Sequence, residues 1–124
     1  YKRQILKTFD SDTSLVNNQN QAFVNLVAGI VLEHLSDAEF SIEILCNAVG
    51  MSNSTFYRKL KEISNQSPAE FINEVRMNKA AELLKTGKYN VSEVAYMTGF
   101  SFPNYFSKVF KKFFGCTPNE LLPK

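Results

Sequence analysis

An internal repeat limits what this chain can fold into more than any other feature of its sequence. Ile42, Leu45, Cys46, Val49, Gly50, Met51 and Ser52 pair, at constant offset, with Val91, Val94, Ala95, Thr98, Gly99, Phe100 and Ser101. With one extra residue in the second turn, Phe56, Arg58, Leu60 and Lys61 then match Phe106, Lys108, Phe110 and Lys111. Each copy reads as a short helix, a tight turn and a basic amphipathic helix, which is the helix-turn-helix arrangement. Cys46 and Ala95 are small and let the second helix approach. Gly50 and Gly99 follow four residues later, where the chain leaves the helix at positive φ, and Met51 and Phe100 plug the turn. In the second helix of each copy Phe56, Leu60 and Ile63, and likewise Phe106, Phe110 and Phe113, form the apolar stripe, with Phe114 beside it.

Helix boundaries follow from capping chemistry. Ser67-Pro68-Ala69-Glu70 is a capping box with proline at the first helical position, Thr117-Pro118-Asn119-Glu120 repeats it, and Asn90 with Glu93 follows the same logic without proline. Gly87 stops the helix begun at Pro68, giving a connecting helix roughly 28 Å long at 1.5 Å per residue. Phe23, Val27, Ile30 and Val31 recur at spacings of three and four and predict a supporting helix over residues 21–35. Residues 1–20, polar and rich in Asn and Gln, read as a linker or N-terminal arm. No segment alternates with period two. The expected fold is all-α, about seven helices, with helix-turn-helix subdomains at 21–66 and 88–124 joined by a connecting helix over 67–87.

The net charge of +2 is too small to argue for nucleic acid by itself. Its distribution says more, because Arg58, Lys59 and Lys61 and then Lys108, Lys111 and Lys112 form two tight basic clusters. Two recognition helices on one face of B-DNA lie about 34–36 Å apart, a span compatible with the connecting helix plus the width of the units it bridges. There is no phosphate loop and no pair of carboxylates, and neither Cys46 nor Cys116 has a neighbouring base to make it a nucleophile. His34, near a predicted helix C-terminus, reads as a cap. The chain is therefore expected to be no enzyme and to hold no metal or cofactor. Two cysteines, without a signal peptide or an apolar run of spanning length, point to a reducing cytoplasmic setting and no membrane contact by this fragment.

Over about residues 22–120 the chain resembles the AraC/XylS-type transcriptional regulators. The resemblance rests on Gly50-Met51-Ser52, on Phe56 through Lys61, on Ser67-Pro68 with Phe71-Ile72, and on Arg76, Ala80, Leu83 and Leu84. It also rests on Val94-Ala95-Tyr96, Gly99-Phe100, the run Tyr105 through Lys112, Gly115 and Thr117-Pro118. It implies base reading by Asn53, Ser54, Arg58, Asn104 and Lys108, and phosphate contacts by Ser52, Thr55, Lys61, Ser92, Lys111 and Lys112. It implies double-stranded DNA as partner and gene activation through RNA polymerase. The segment 21–40 looks like what precedes this domain in two-component and hybrid regulators, so an upstream receiver or sensor domain is expected in the full-length protein. Cys46, Asn65, Lys108 and Leu121-Leu122 depart from the family pattern. Lysine at 108 lacks the bidentate fork that reads guanine, so the first unit is expected to supply most of the specificity and the second more of the backbone contact. The competing reading is a helical protein-interaction module that does not read DNA.

Overall fold

The computed structural model describes residues 15–123. These form seven helices, α1 (Leu15–Glu33), α2 (Ile42–Val49), α3 (Asn53–Ser64), α4 (Pro68–Lys85), α5 (Val91–Met97), α6 (Pro103–Phe114) and α7 (Pro118–Leu121). Caps fix most of the starts. The Ser41 hydroxyl accepts from the Ile44 N–H at 3.3 Å, and the Ser52 hydroxyl from the Thr55 N–H at 3.3 Å. At α4 the Ser67 N–H donates to the Glu70 carboxylate at 2.8 Å while the Glu70 N–H donates to the Ser67 hydroxyl at 3.2 Å. Asn90 and Glu93 make the same reciprocal pair at α5, and the Thr117 N–H donates to Glu120 at 3.1 Å at α7. α6 alone among the long helices after α1 starts without a side-chain cap, on Phe102 and Pro103.

Helix α1 starts six residues before the position that periodicity predicts, so residues 15–20 of the expected arm are helical and residues 1–14 of it lie outside the described residues. The Asn and Gln residues interrupt the apolar pattern, but they do not break a helix that tertiary contact holds. Asn20 is half-buried and shares a cleft with Thr55, Arg58, Lys59, Glu62 and Ile63 of α3. At the other end His34 follows the last turn and donates from Nδ1 to the Ile30 carbonyl at 3.0 Å, with its ring stacked on Phe40. It is a cap, as its position predicts.

The two turns share one geometry. Gly50 has φ 72° and the Met51 N–H reaches back to the Cys46 carbonyl at 3.1 Å; Gly99 has φ 90° and the Phe100 N–H reaches the Ala95 carbonyl at 2.9 Å. α3 and α6 then end alike, on left-handed Asn65 and Gly115. Asparagine can occupy that conformation because its short amide hydrogen-bonds locally, which is why the departure from glycine at 65 leaves the helix end intact.

Two apolar cores follow one another along α4. Phe23, Val24, Val27, Val31, Leu45, Cys46, Phe56 and Leu60 pack with Phe71, Ile72 and Val75 of α4. Val94, Ala95, Phe100, Phe106, Phe110 and Phe114 pack with Met77, Ala80, Ala81 and Leu84. The aromatic stripe of α6 runs through Phe114 rather than Phe113, which is only half-buried, because residues 106, 110 and 114 are successive four-residue steps along one face. Glu74, buried on α4, accepts from the Gln66 amide at 2.9 Å.

Between Val75 and Met77 stands Arg76, at the seam of the two cores. Its guanidinium carbon lies 5.9 Å from the centre of the Phe100 ring, close enough for a cation–π contact. Nε and Nη2 are buried without a hydrogen-bond partner among the described residues. Burial pushes the guanidinium down from its ordinary value and the nearby charge of Asp37 pushes it back up. Gly99 packs against the same group. A Cβ placed on it would meet the Leu35 carbonyl oxygen at 2.7 Å and Arg76 Cζ and Nη2 at 3.1 Å. The loop after α1 thus rests directly on the turn of the second unit.

Candidate nucleic-acid interface

In α3 the apolar stripe of Phe56 and Leu60 turns inward, and helical periodicity leaves the opposite face to solvent. Asn53, Ser54, Tyr57, Arg58, Lys61 and Glu62 line one shallow open surface there. Arg58 also borders the cleft toward α1, so its side chain can serve either side of the helix. Ser52 and Thr55 are exposed at the helix start, where the Ser52 hydroxyl donates to Thr55 Oγ1 at 2.9 Å. That bond leaves the Thr55 hydroxyl proton available to an acceptor. Lys59 departs from the basic cluster suggested by the sequence. It is half-buried with Nζ 4.5 Å from the centre of the Phe23 ring, so it braces α3 on α1.

The second unit repeats this placement with different chemistry. Asn104, Lys108, Lys111 and Lys112 are exposed on α6, opposite Phe106, Phe110 and Phe114. Helix position for helix position, Ser52, Ser54, Thr55, Arg58, Lys61 and Glu62 of the first unit correspond to Phe102, Asn104, Tyr105, Lys108, Lys111 and Lys112 of the second. None of Arg58, Lys61, Lys108, Lys111 and Lys112 is held in an ion pair among the described residues. These cations are therefore free to meet anionic groups without first breaking an internal bond. Ser92 is exposed at the start of α5, and its neighbour Glu93 is committed to the Asn90 cap.

Three exposed residues on these surfaces do not stand out as contact residues in the sequence. Glu62 brings a carboxylate to the α3 face, able to accept from the cytosine amino group. Phe102 and Tyr105 stand 72% and 59% exposed at the start of α6. Aromatic residues in a Phe-rich helix read as core by default. For Tyr105 the separating signal is register, one residue off the face that carries Phe106, Phe110 and Phe114, whereas Phe102 keeps that four-residue step and is set apart only by its place at the N-cap, just before Pro103.

A family model described as a helix-turn-helix domain matches residues 45–123, from within α2 to the last described residue. The chain belongs to the AraC/XylS-type family. That family is one of sequence-specific DNA-binding transcriptional regulators, and the described residues of this chain are all-helical outside their turns. Histidine kinase P4 of Formosa agariphila is 40% identical to it over 91 residues, covering 73% of this chain and 7% of the kinase. Two solved structures of AraC-type domains are similar. The C-terminal domain of AraT, a response regulator from Geobacillus stearothermophilus, is 27% identical with a TM-score of 0.72, covering 90% of this chain and 86% of that one. The DNA-binding domain of AdpA, solved in complex with a target DNA, is 31% identical with a TM-score of 0.70, covering 78% and 86%. The chain spans less than half the length of the curated relatives it matches. Among the described residues no helix is long and apolar enough to cross a membrane.

Proposed function

We propose that this AraC-type domain lays α3 and α6 into two successive major-groove segments of duplex DNA. Asn53, Ser54, Arg58, Asn104 and Lys108 meet base edges, while Ser52, Thr55, Lys61, Ser92, Lys111 and Lys112 meet phosphates. The observation that carries this reading is the pair of matching helices whose exposed faces bear unpaired cations, set at opposite ends of one connecting helix. Amides and hydroxyls near a recognition-helix start can reach base edges, and lysines farther along can reach the backbone. The subdomain limits are 21–66 and 88–124, with the connecting helix over 67–87 between them. The domain works in the cytoplasm as the output module of a longer two-component or hybrid regulator. An upstream receiver or sensor domain controls it, and RNA polymerase is its second macromolecular partner. The kinase and response-regulator relatives support that setting.

Titration of a selected duplex against salt tests the reading. Neutralisation of three phosphates by Lys61, Lys111 and Lys112 alone gives a slope of about −3 in log affinity against log salt. A flat response overturns the proposal. Arg58→Ala is expected to weaken binding by about 1–3 kcal/mol and to relax preference at one base position, whereas Lys112→Ala weakens all sequences alike and flattens the salt slope by about one. Footprints and selected motifs that do not distinguish the two variants would show that the roles assigned to them are wrong.

A further inference from the structure

The first turn of α3 presents Ser52, Asn53, Ser54 and Thr55, four polar side chains, all exposed. The first turn of α6 presents Phe102, Pro103, Asn104 and Tyr105 at the same positions. Ser52 caps its helix through its hydroxyl, but Phe102 makes no side-chain cap bond, so the second unit forgoes a stabilising contact at this position. Pro103 recovers part of the loss by presetting φ for the first helical residue. Tyr105 leans on the buried Phe100 ring, with centroids 6.1 Å apart, whereas Phe102 has no ring contact among the described residues and stands 72% exposed. Phe102 at the N-cap and Tyr105 in the first turn are both largely exposed and stand on either side of Asn104 in the sequence. The N-terminal end of a recognition helix is the end that meets base edges. The apolar feature those edges carry is the thymine 5-methyl group, which is unique to the major groove.

We infer that Phe102 is a specificity-determining residue that packs on the 5-methyl group of thymine, so that the second unit selects bases by apolar contact where the first uses hydrogen bonds. The inference rests on the DNA-binding reading above and deepens it. It changes the role expected of the second unit, whose lysines suggested backbone contact above all. Asn104 supplies an amide beside the methyl contact, suited to the adenine N6 and N7 edge.

The test uses the 124-residue chain and a duplex chosen by selection from a random pool. Each thymine of the half-site bound by α6 is replaced in turn by deoxyuridine, which removes only the methyl group, and Kd is measured for the wild type and for Phe102→Ser. Loss of one buried methyl is worth about fourfold in affinity. The wild type is expected to lose about that factor at one or two thymines and Phe102→Ser to lose less than twofold at the same positions. Phe102→Ser should keep or raise the wild-type melting temperature, since it exchanges an exposed ring for the capping residue that α3 already uses. Equal sensitivity of both proteins at every thymine overturns the inference, as does a uniform loss for Phe102→Ser that ignores the methyl groups. Failure of the wild type to bind any selected duplex overturns the DNA reading itself, and is thus distinguishable from failure of the methyl contact alone.

Discussion

Phe110→Ala is expected to cost about 3–5 kcal/mol, the range for truncating a fully buried phenylalanine. Phe110 is fully buried in the second core, with its ring 5.7 Å from Phe106 and 4.6 Å from Phe114, so no small shift of one neighbour fills the space it leaves. At about 4 °C per kcal/mol for a domain of this size, the melting temperature falls by about 12–20 °C. Because the cores share no buried residue, the damage stays in the second unit. Thermal unfolding followed by helical circular dichroism should separate into two steps, and footprinting should lose protection at one half-site first. A melting temperature within about 4 °C of wild type would mean that α6 is not the centre of its core.

Gly99→Ala should cost about 2–5 kcal/mol, from two sources that a matched variant separates. The left-handed conformation costs a residue with a Cβ about 1–2 kcal/mol, and forcing an atom into a packed site costs about 1–3 kcal/mol more. The obstacle at Gly99 includes the Leu35 carbonyl at 2.7 Å, which is backbone and can yield only by moving the loop after α1. Gly50, its counterpart in the repeat, also has positive φ, but nothing lies within 4 Å of a Cβ placed there. Gly50→Ala should therefore lose only the conformational share. Chemical denaturation of both variants is decisive: equal losses would show that the Leu35–Gly99 contact carries no energy.

Much of this architecture is legible in the sequence because its signals are local. The repeat, the glycine turns, the capping pairs at Ser67 and Asn90 and the stop at Gly87 each depend on residues within a turn or two of one another. Tertiary contact is less legible. That α1 begins at Leu15, that Lys59 lies over Phe23 and that Gly99 is needed for close approach as well as for its φ angle all depend on elements distant in sequence. The candidate interface divides in the same way. Periodicity places Asn53, Arg58, Asn104 and Lys108 on open faces, but it does not distinguish Phe102 from a core aromatic, because Phe102 stands four residues before Phe106, in step with Phe110 and Phe114.

The shared helix α4 has one more consequence. Val75 belongs to the first core and Met77 to the second, so the two units are indexed to one another across a single residue, Arg76. Each residue added to a helix turns everything beyond it by about 100° and advances it by 1.5 Å. One insertion at this point would swing α6 out of phase with α3, and no rearrangement within either core would bring it back. The side chains that face solvent on α3 and α6 carry no such constraint. A lineage built on this domain can therefore change the bases it prefers by ordinary point mutation, while the distance and phase between its half-sites stay fixed by the length of one helix.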